Sequence, residues 1–215
     1  MQIHPKLART FAAISLFTFS FVLPAAAQHG SIQTSAAASA VVVNAASRVQ
    51  IDNFGRVSPT YYRGAQPKGG DYADLAALGV KTVINLTSDD AQADEQQLVE
   101  KAGMKYLQIP MTTHSVPTPD ELKHFLAVVN DSASGPVFVH CVGGKHRTGV
   151  MTAAYRMTNS GWTADQAFQE MKAYKFGADF LHSEFKRFVY SFQPASRPTE
   201  ALATNATAPV ANPVN

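Results

Sequence analysis

The 215-residue chain is short of the features that most readily classify a protein. It has one cysteine, Cys141, which excludes an intrachain disulfide, a CxxC redox pair and a cysteine-rich zinc site. Charged residues make up only 16%, and the formal net charge of +2 is too small to mark a nucleic-acid binder. A mean hydropathy near zero excludes a polytopic membrane protein, and no internal repeat is seen. What is present is 46% hydrophobic and 10% aromatic residues, which excludes a wholly disordered chain. Such a chain suits one compact domain with extra segments at its ends.

Residues 1–27 read as a secretory signal. Lys6 and Arg9 form a basic start, Phe11–Leu23 is an apolar run, and Pro24 leads into the small-residue cleavage site Ala25-Ala26-Ala27. The run is 13 residues long, against the roughly 20 that span a bilayer, so no stable membrane insertion is expected after cleavage. Export to the periplasm or the medium follows. Removing the two basic residues of this segment leaves 16 of each sign, so the +2 belongs to targeting. Residues 28–48 are small and polar with one brief apolar patch, Val41–Val43, and residues 194–215 are rich in Ala, Pro, Thr and Asn without a core-forming period. They read as a flexible linker and a disordered tail. The folded domain is then 49–193.

Within it, strands and helices alternate. Tyr61–Arg63, Val80–Leu86, Lys105–Ile109 and Pro136–His140 read as strands, the third closed by Pro110. Asp71–Leu78, Ala91–Ala102, a segment opened by Thr118-Pro119-Asp120-Glu121, Arg147–Ser160, a segment capped by Thr163, and Phe180–Phe192 read as helices. Pro136–His140 is apolar throughout, as a strand buried on both faces must be. The expected fold is α/β, a central and largely parallel sheet between helical layers. Ligands bind such sheets beyond the carboxyl ends of the strands.

The segment His140-Cys141-Val142-Gly143-Gly144-Lys145-His146-Arg147-Thr148-Gly149 occupies that place, between the central strand and a helix start. Backbone amides turned by Gly143 and Gly144, above the positive end of the helix, suit a dianion. Arg147 can grip two phosphate oxygens with its guanidinium fork. The same field favours a thiolate at Cys141, since cysteines so placed can have pKa values of about 3.5–7.5. The loop is not a Walker loop, because the GK[ST] ending is absent. Cys141 can otherwise be a buried small hydrophobe or an intermolecular link.

Six positions of this window match HCxxGxxRTG, and the segment resembles the cysteine-based protein tyrosine and dual-specificity phosphatases, whose signature is Cys, five residues, then Arg. Gly144–Gly149 and the upstream stretch Asn53–Pro67 (NFGRVSPTYYRGAQP) are similar to the plant and fungal atypical dual-specificity phosphatases, of which this chain would be a bacterial-like exported member. Val83–Leu86 (VINL) matches the wider superfamily, and the resemblance spans Asn53–Phe188. It implies a dual-specificity phosphatase-like three-layer sandwich and a phosphocysteine intermediate on Cys141. Arg147 and the loop residues Val142, Gly143, Gly144, Lys145 and His146 would hold the phosphate. Thr148 would assist departure of the thiolate, and His140 would support the loop. No metal or other cofactor is implied.

The general acid is where the sequence departs from the pattern. Pro110–Pro117 carries no carboxylate, so Asp120 is the candidate proton donor, although its helix-capping context explains it equally well. His114 is a second candidate, and Asp179 reads as an N-cap. The substrates implied are phosphotyrosine-type or dual-specificity protein substrates, or else inositol phosphates and pyrophosphates, for which Lys145 and His146 add cationic or polarisable groups. A phosphoanhydride leaving group needs little protonation. Two readings of other classes stay open: a rhodanese-like sulfurtransferase and a non-catalytic phosphate-binding module. The Asn85-Leu86-Thr87 sequon is read as incidental, Trp162 as a packing residue, and the oligomeric state is not legible.

Overall fold

Alternation along short strands sorts the interior into two apolar layers. In β5 (Val137–His140), Val137 and Val139 join one core while Phe138 joins the other. In β3 (Thr82–Thr87), Ile84 and Leu86 face the first core and Val83 the second. Such a period of two, with both faces buried, is what a sheet covered on each side requires. The computed structural model describes residues 48–88 and 90–194. The expected signal, the linker through residue 47 and the tail from residue 195 lie outside the described residues.

Five strands form a sheet in the order β1-β2-β5-β3-β4, where β1 is Gly55–Ser58, β2 is Tyr61–Gly64 and β4 is Lys105–Met111. β2, β5, β3 and β4 run parallel, and β1 turns back antiparallel on β2. The sheet is therefore mixed, and largely parallel as expected. On the second face lie α1 (Asp71–Ala77) and α2 (Glu95–Lys101), which bury Tyr72, Leu75 and Val99 there. On the first lie α3 (Pro119–Asn130), α4 (His146–Ser160), α5 (Ala164–Ala173) and α6 (Ser183–Ser191). α4 is covered on almost every side, from Arg147 through Tyr155, so it forms the spine of that layer. Each fully buried Val or Met contributes about 1.5–3 kcal/mol. Gly149 permits a close approach: a Cβ there would lie 3.2 Å from the Met171 side chain on α5.

Both capping boxes form. Thr118 accepts from the Glu121 amide at 3.2 Å while Glu121 accepts from the Thr118 amide at 2.7 Å, and Thr163 and Gln166 repeat the pattern on α5. Trp162 packs against the core under the Arg156 guanidinium, 4.3 Å from its ring centre. Asn85 of the sequon is fully buried in β3.

Several boundaries differ from the sequence reading. β1 was not expected, because four residues containing Gly55 and Ser58 show no apolar alternation; its pairing with β2 makes it a strand. β4 continues through Pro110 to Met111, which is tolerated because β4 is a sheet edge and one strand face lacks a partner needing that N–H. α2 begins at Glu95 rather than Ala91, since the preceding residues form a turn in which Gln92 donates to Asp94 at 2.7 Å. Asp179 is not an N-cap. It pairs with Lys172 and Lys186 at 2.7 and 2.8 Å, and α6 starts only at Ser183, with His182 at its N-cap. Among the described residues no helix is long and apolar enough to cross a membrane.

Candidate active site

The register of the sheet decides what surrounds Cys141. His140, the last residue of β5, stands opposite Gly64 on one side and Asn85 on the other. The next residues, 141–145, must therefore cross the carboxyl edge between the β2 end and the β3–α2 loop before α4 begins. Cys141 itself is only 3% exposed. It lines the floor of a pocket with Val142, Gly143, Lys145, His146, Arg147, Thr113 and Asp90.

Three consecutive loop carbonyls are held from outside that pocket. The Gln66 amide donates to the Val142 carbonyl at 3.2 Å, Asn53 Nδ2 to the Gly143 carbonyl at 2.8 Å, and Arg63 Nη2 to the Gly144 carbonyl at 2.9 Å. In a trans peptide plane the C=O and the following N–H point opposite ways. Carbonyls drawn outward thus turn the amides of 143, 144 and 145 toward the pocket, where they suit an anion. Arg63 is fully buried, its guanidinium 3.9 Å from the centre of the Tyr174 ring. All three tethering residues lie in the Asn53–Pro67 stretch, whose likeness to a phosphatase subgroup was legible but whose role was not.

Gly144 is needed for two reasons. Its φ is +62°, and a Cβ would sit 2.4 Å from the Gly64 backbone carbon. It packs back against β2 and, unlike its expected neighbours, does not line the pocket.

Arg147, in the first turn of α4, is 3% exposed and makes a fork-to-fork pair with Asp90, Nη1 to Oδ1 at 2.8 Å and Nη2 to Oδ2 at 2.7 Å. Nη1 also donates to the Met111 carbonyl at 3.1 Å. Burial works against the Arg147 charge, but the Asp90 hydrogen bonds and the neighbouring Cys141 outweigh it and hold its pKa above the ordinary guanidinium value. The Arg147 hydrogen bonds in turn hold Asp90 below the usual carboxylate range. No sequence signal marked Asp90. It sits on a loop without periodicity, and only the sheet order brings that loop to the Cys141 edge.

The remaining candidates are placed as follows. Thr148 is fully buried at the start of α4, and its hydroxyl makes no hydrogen bond to a protein group. His140 turns toward the α1–α2 layer, stacked on Phe138, with Nε2 2.9 Å from Glu95 Oε1. Glu95 is fully buried and also accepts from Gln66 Nε2 at 2.7 Å, from the Tyr72 hydroxyl at 3.3 Å and from Asn85 Nδ2. Glu95 thus lies between His140 and Gln66, whose backbone amide donates to the Val142 carbonyl. Glu95 too was missed, because a Glu in a helix first turn ordinarily reads as solvated. His146 lines the pocket, but its Nε2 lies 2.9 Å from the Phe176 carbonyl; burial lowers its pKa, against that hydrogen bond. Asp120 is exposed in the α3 first turn and does not line the pocket. His114 lies instead beside His182 and Glu184, their ligand atoms within 4.8 Å of one another, the one group among the described residues suited to a metal ion.

Comparison with known proteins adds a family to this geometry. Residues 33–187 match the family model described as "DSP-PTPase phosphatase fused to NAD+ Kinase". The dual specificity protein phosphatase TpbA of Pseudomonas aeruginosa is 34% identical over 125 residues, 58% of this chain and 56% of its own length. The chain thus spans a little over half the length of that curated relative. A rice inositol diphosphatase is 27% identical over 148 residues, covering 67% of this chain and 71% of its own. The crystal structure of TpbA superposes with a TM-score of 0.57 at 31% identity, over 66% of this chain and 86% of that one. The yeast Siw14 catalytic core, at 21% identity, shares the fold with a TM-score of 0.60 over 72% and 92% of the two chains. With the family model covering well over half of its residues, the Cys141–Arg147 loop among them, this chain belongs to the dual-specificity and protein tyrosine phosphatase family.

Proposed function

We propose that this chain hydrolyses phosphate esters through a phosphocysteine on Cys141, acting on phosphotyrosine-type and dual-specificity protein substrates. The observation that carries the reading is the loop itself, with its carbonyls tied outward around a buried cysteine that faces Arg147. In the first step the Cys141 thiolate attacks phosphorus in line, an S–P bond forms and the ester P–O bond breaks, the departing oxygen taking a proton from solvent. The amides of 143–145 and Arg147 hold the equatorial oxygens, whose charge they meet already oriented. Water then attacks phosphorus, the S–P bond breaks, and the thiolate is restored with the Thr148 hydroxyl, unengaged by other protein groups, beside it.

Asp90, paired with Arg147, competes with phosphate for the guanidinium. The pocket measures about 230 Å³, below the roughly 300–1,000 Å³ that enclose a whole drug-sized ligand. It takes a phosphoryl group with part of its carrier and leaves the rest outside, as suits a side chain presented by a protein. TpbA, named a dual specificity protein phosphatase and crystallised with phosphotyrosine, supports this choice.

A second reading rests on Lys145 and His146, which line the same pocket and would meet a second phosphate group. Rice and yeast relatives are named inositol diphosphatases. Phosphate release from a phosphotyrosine peptide and from an inositol pyrophosphate, compared by kcat/KM, decides between the two. Loss of release from both in Cys141→Ser, with phosphate binding kept, separates an enzyme from a binding module, and persulfide formation from thiosulfate would instead indicate a sulfurtransferase. Residues 1–27 are proposed as an export signal; an exported chain beginning at Gln28 is the expected result of N-terminal sequencing.

A further inference from the structure

Three side chains from two distant parts of the chain meet beside two residues that line the Cys141 pocket, Thr113 and His146. His114 comes from the β4–α3 loop, His182 is the residue before α6, and Glu184 lies in the first turn of α6. One ligand atom from each falls within 4.8 Å of the others. The His114 and His182 rings stack with centres 5.8 Å apart and planes 21° from parallel. His182 Nδ1 and Glu184 Oε1 are 3.5 Å apart, and both atoms are buried without a hydrogen-bond partner. Native proteins rarely leave such atoms unsatisfied. Here they are aimed at one another and at a third donor on an exposed loop.

We propose that His114, His182 and Glu184 bind a divalent transition-metal ion of the zinc type, and that the bound ion restricts access to Cys141. Two imidazoles and one carboxylate form a mixed nitrogen and oxygen set of the kind that takes zinc, whereas magnesium and calcium call for oxygen ligands. Ligand atoms around a tetrahedral zinc stand about 3.3 Å apart at bond lengths of about 2.0–2.1 Å. The cluster must therefore contract, and exposed His114 is the member free to move inward. Contraction draws the β4–α3 loop toward the α6 start. That movement concerns the pocket directly, because Thr113 lines it and the His182 ring lies 3.7 Å from the ring of His146, which also lines it. None of this was legible along the chain: 68 positions separate His114 from His182, and neither lies in a metal-ligand spacing pattern.

Cys141 is itself a zinc ligand by chemistry, so the binding experiment uses the full chain carrying Cys141→Ser. Titration with zinc chloride in a calorimeter is expected to show one ion per chain, and cobalt(II) to show the absorption of a tetrahedral site. In the same background His114→Ala, His182→Ala and Glu184→Gln each weaken zinc binding at least tenfold. His124→Ala, on the exposed face of α3, does not. In the chain with Cys141 intact, zinc slows alkylation of the thiol by iodoacetamide at least fivefold, and Glu184→Gln removes that protection without changing the metal-free rate. Loss of all binding with Cys141→Ser, or binding unaffected by the three variants, would overturn the site. Protection that persists undiminished in Glu184→Gln would overturn the restriction of access.

Discussion

Arg147 and Asp90 close on each other as two parallel hydrogen bonds, at 2.7 and 2.8 Å, across the mouth of the pocket that holds Cys141. The carboxylate occupies one edge of the guanidinium and brings a negative charge into the pocket, so it competes with a bound anion. Asp90→Asn keeps the shape but removes the charge, and inorganic phosphate is expected to inhibit the variant several-fold more tightly. Competitive inhibition constants measured side by side check this; an unchanged constant would show that Asp90 does not compete. The pH dependence has a definite sign. Asp90 has its carboxyl pKa lowered by Arg147, so the pair adds stability above the unfolded value of about 3.9 and loses it as pH falls through the lower folded value. The acid limb of Tm against pH is expected to flatten in Asp90→Asn, by a small amount because the Asp90 side chain is 37% exposed.

Asn53→Ala removes one of the three outer tethers of the loop. A single neutral hydrogen bond is worth about 0.5–1.5 kcal/mol, so the Tm changes little. The Gly143 carbonyl is freed, however, and kcat/KM is expected to fall about tenfold as the amide it orients loses its aim. Thermal unfolding and steady-state kinetics on the same sample separate the two effects.

Gly144→Ala places a methyl 2.4 Å from the Gly64 backbone at a positive φ. Backbone on both sides cannot yield as a side chain tip can, so the loop itself moves. Phosphate release is expected to drop by about a hundredfold or more, the scale of losing an anion-stabilising donor, with the far-ultraviolet circular dichroism unchanged. Near-normal activity would show that the loop tolerates displacement.

Asp120→Asn is expected to leave kcat within about twofold on alkyl and aryl phosphates alike, because its carboxylate is exposed and outside the pocket. A loss of about a hundredfold confined to alkyl phosphates would restore it as the proton donor.

Glu95→Gln tests the buried layer behind the loop. Glu95 accepts from Gln66, Tyr72 and Asn85, and an amide nitrogen in its place would face donors. Destabilisation of about 1–3 kcal/mol is expected, read from urea unfolding. The Gln66 tether to Val142 loosens with it, so turnover falls as well.

Local pattern carried a large part of this protein. The apolar run Val137–His140, the glycines after it and Arg147 at a helix start are neighbours along the chain, and periodicity and turn chemistry report such neighbours faithfully. They were enough for four of the five strands, for the helices with their two capping boxes, and for the loop that carries Cys141 and Arg147. What surrounds that loop was settled by strand order. Placing β5 between β2 and β3 sets Cys141 between segments that lie 75 positions or more before it and about 50 before it. From the first come Asn53, Arg63 and Gln66, in a stretch marked by resemblance but not by role, and from the second Asp90 and Glu95, which read along the chain as solvated polar residues. Asp120 shows the converse, a residue with an attractive spacing that its helix keeps at the surface. A side chain's chemistry here depends on partners that only long-range packing supplies, which is why the Cys141 loop was legible and its setting was not.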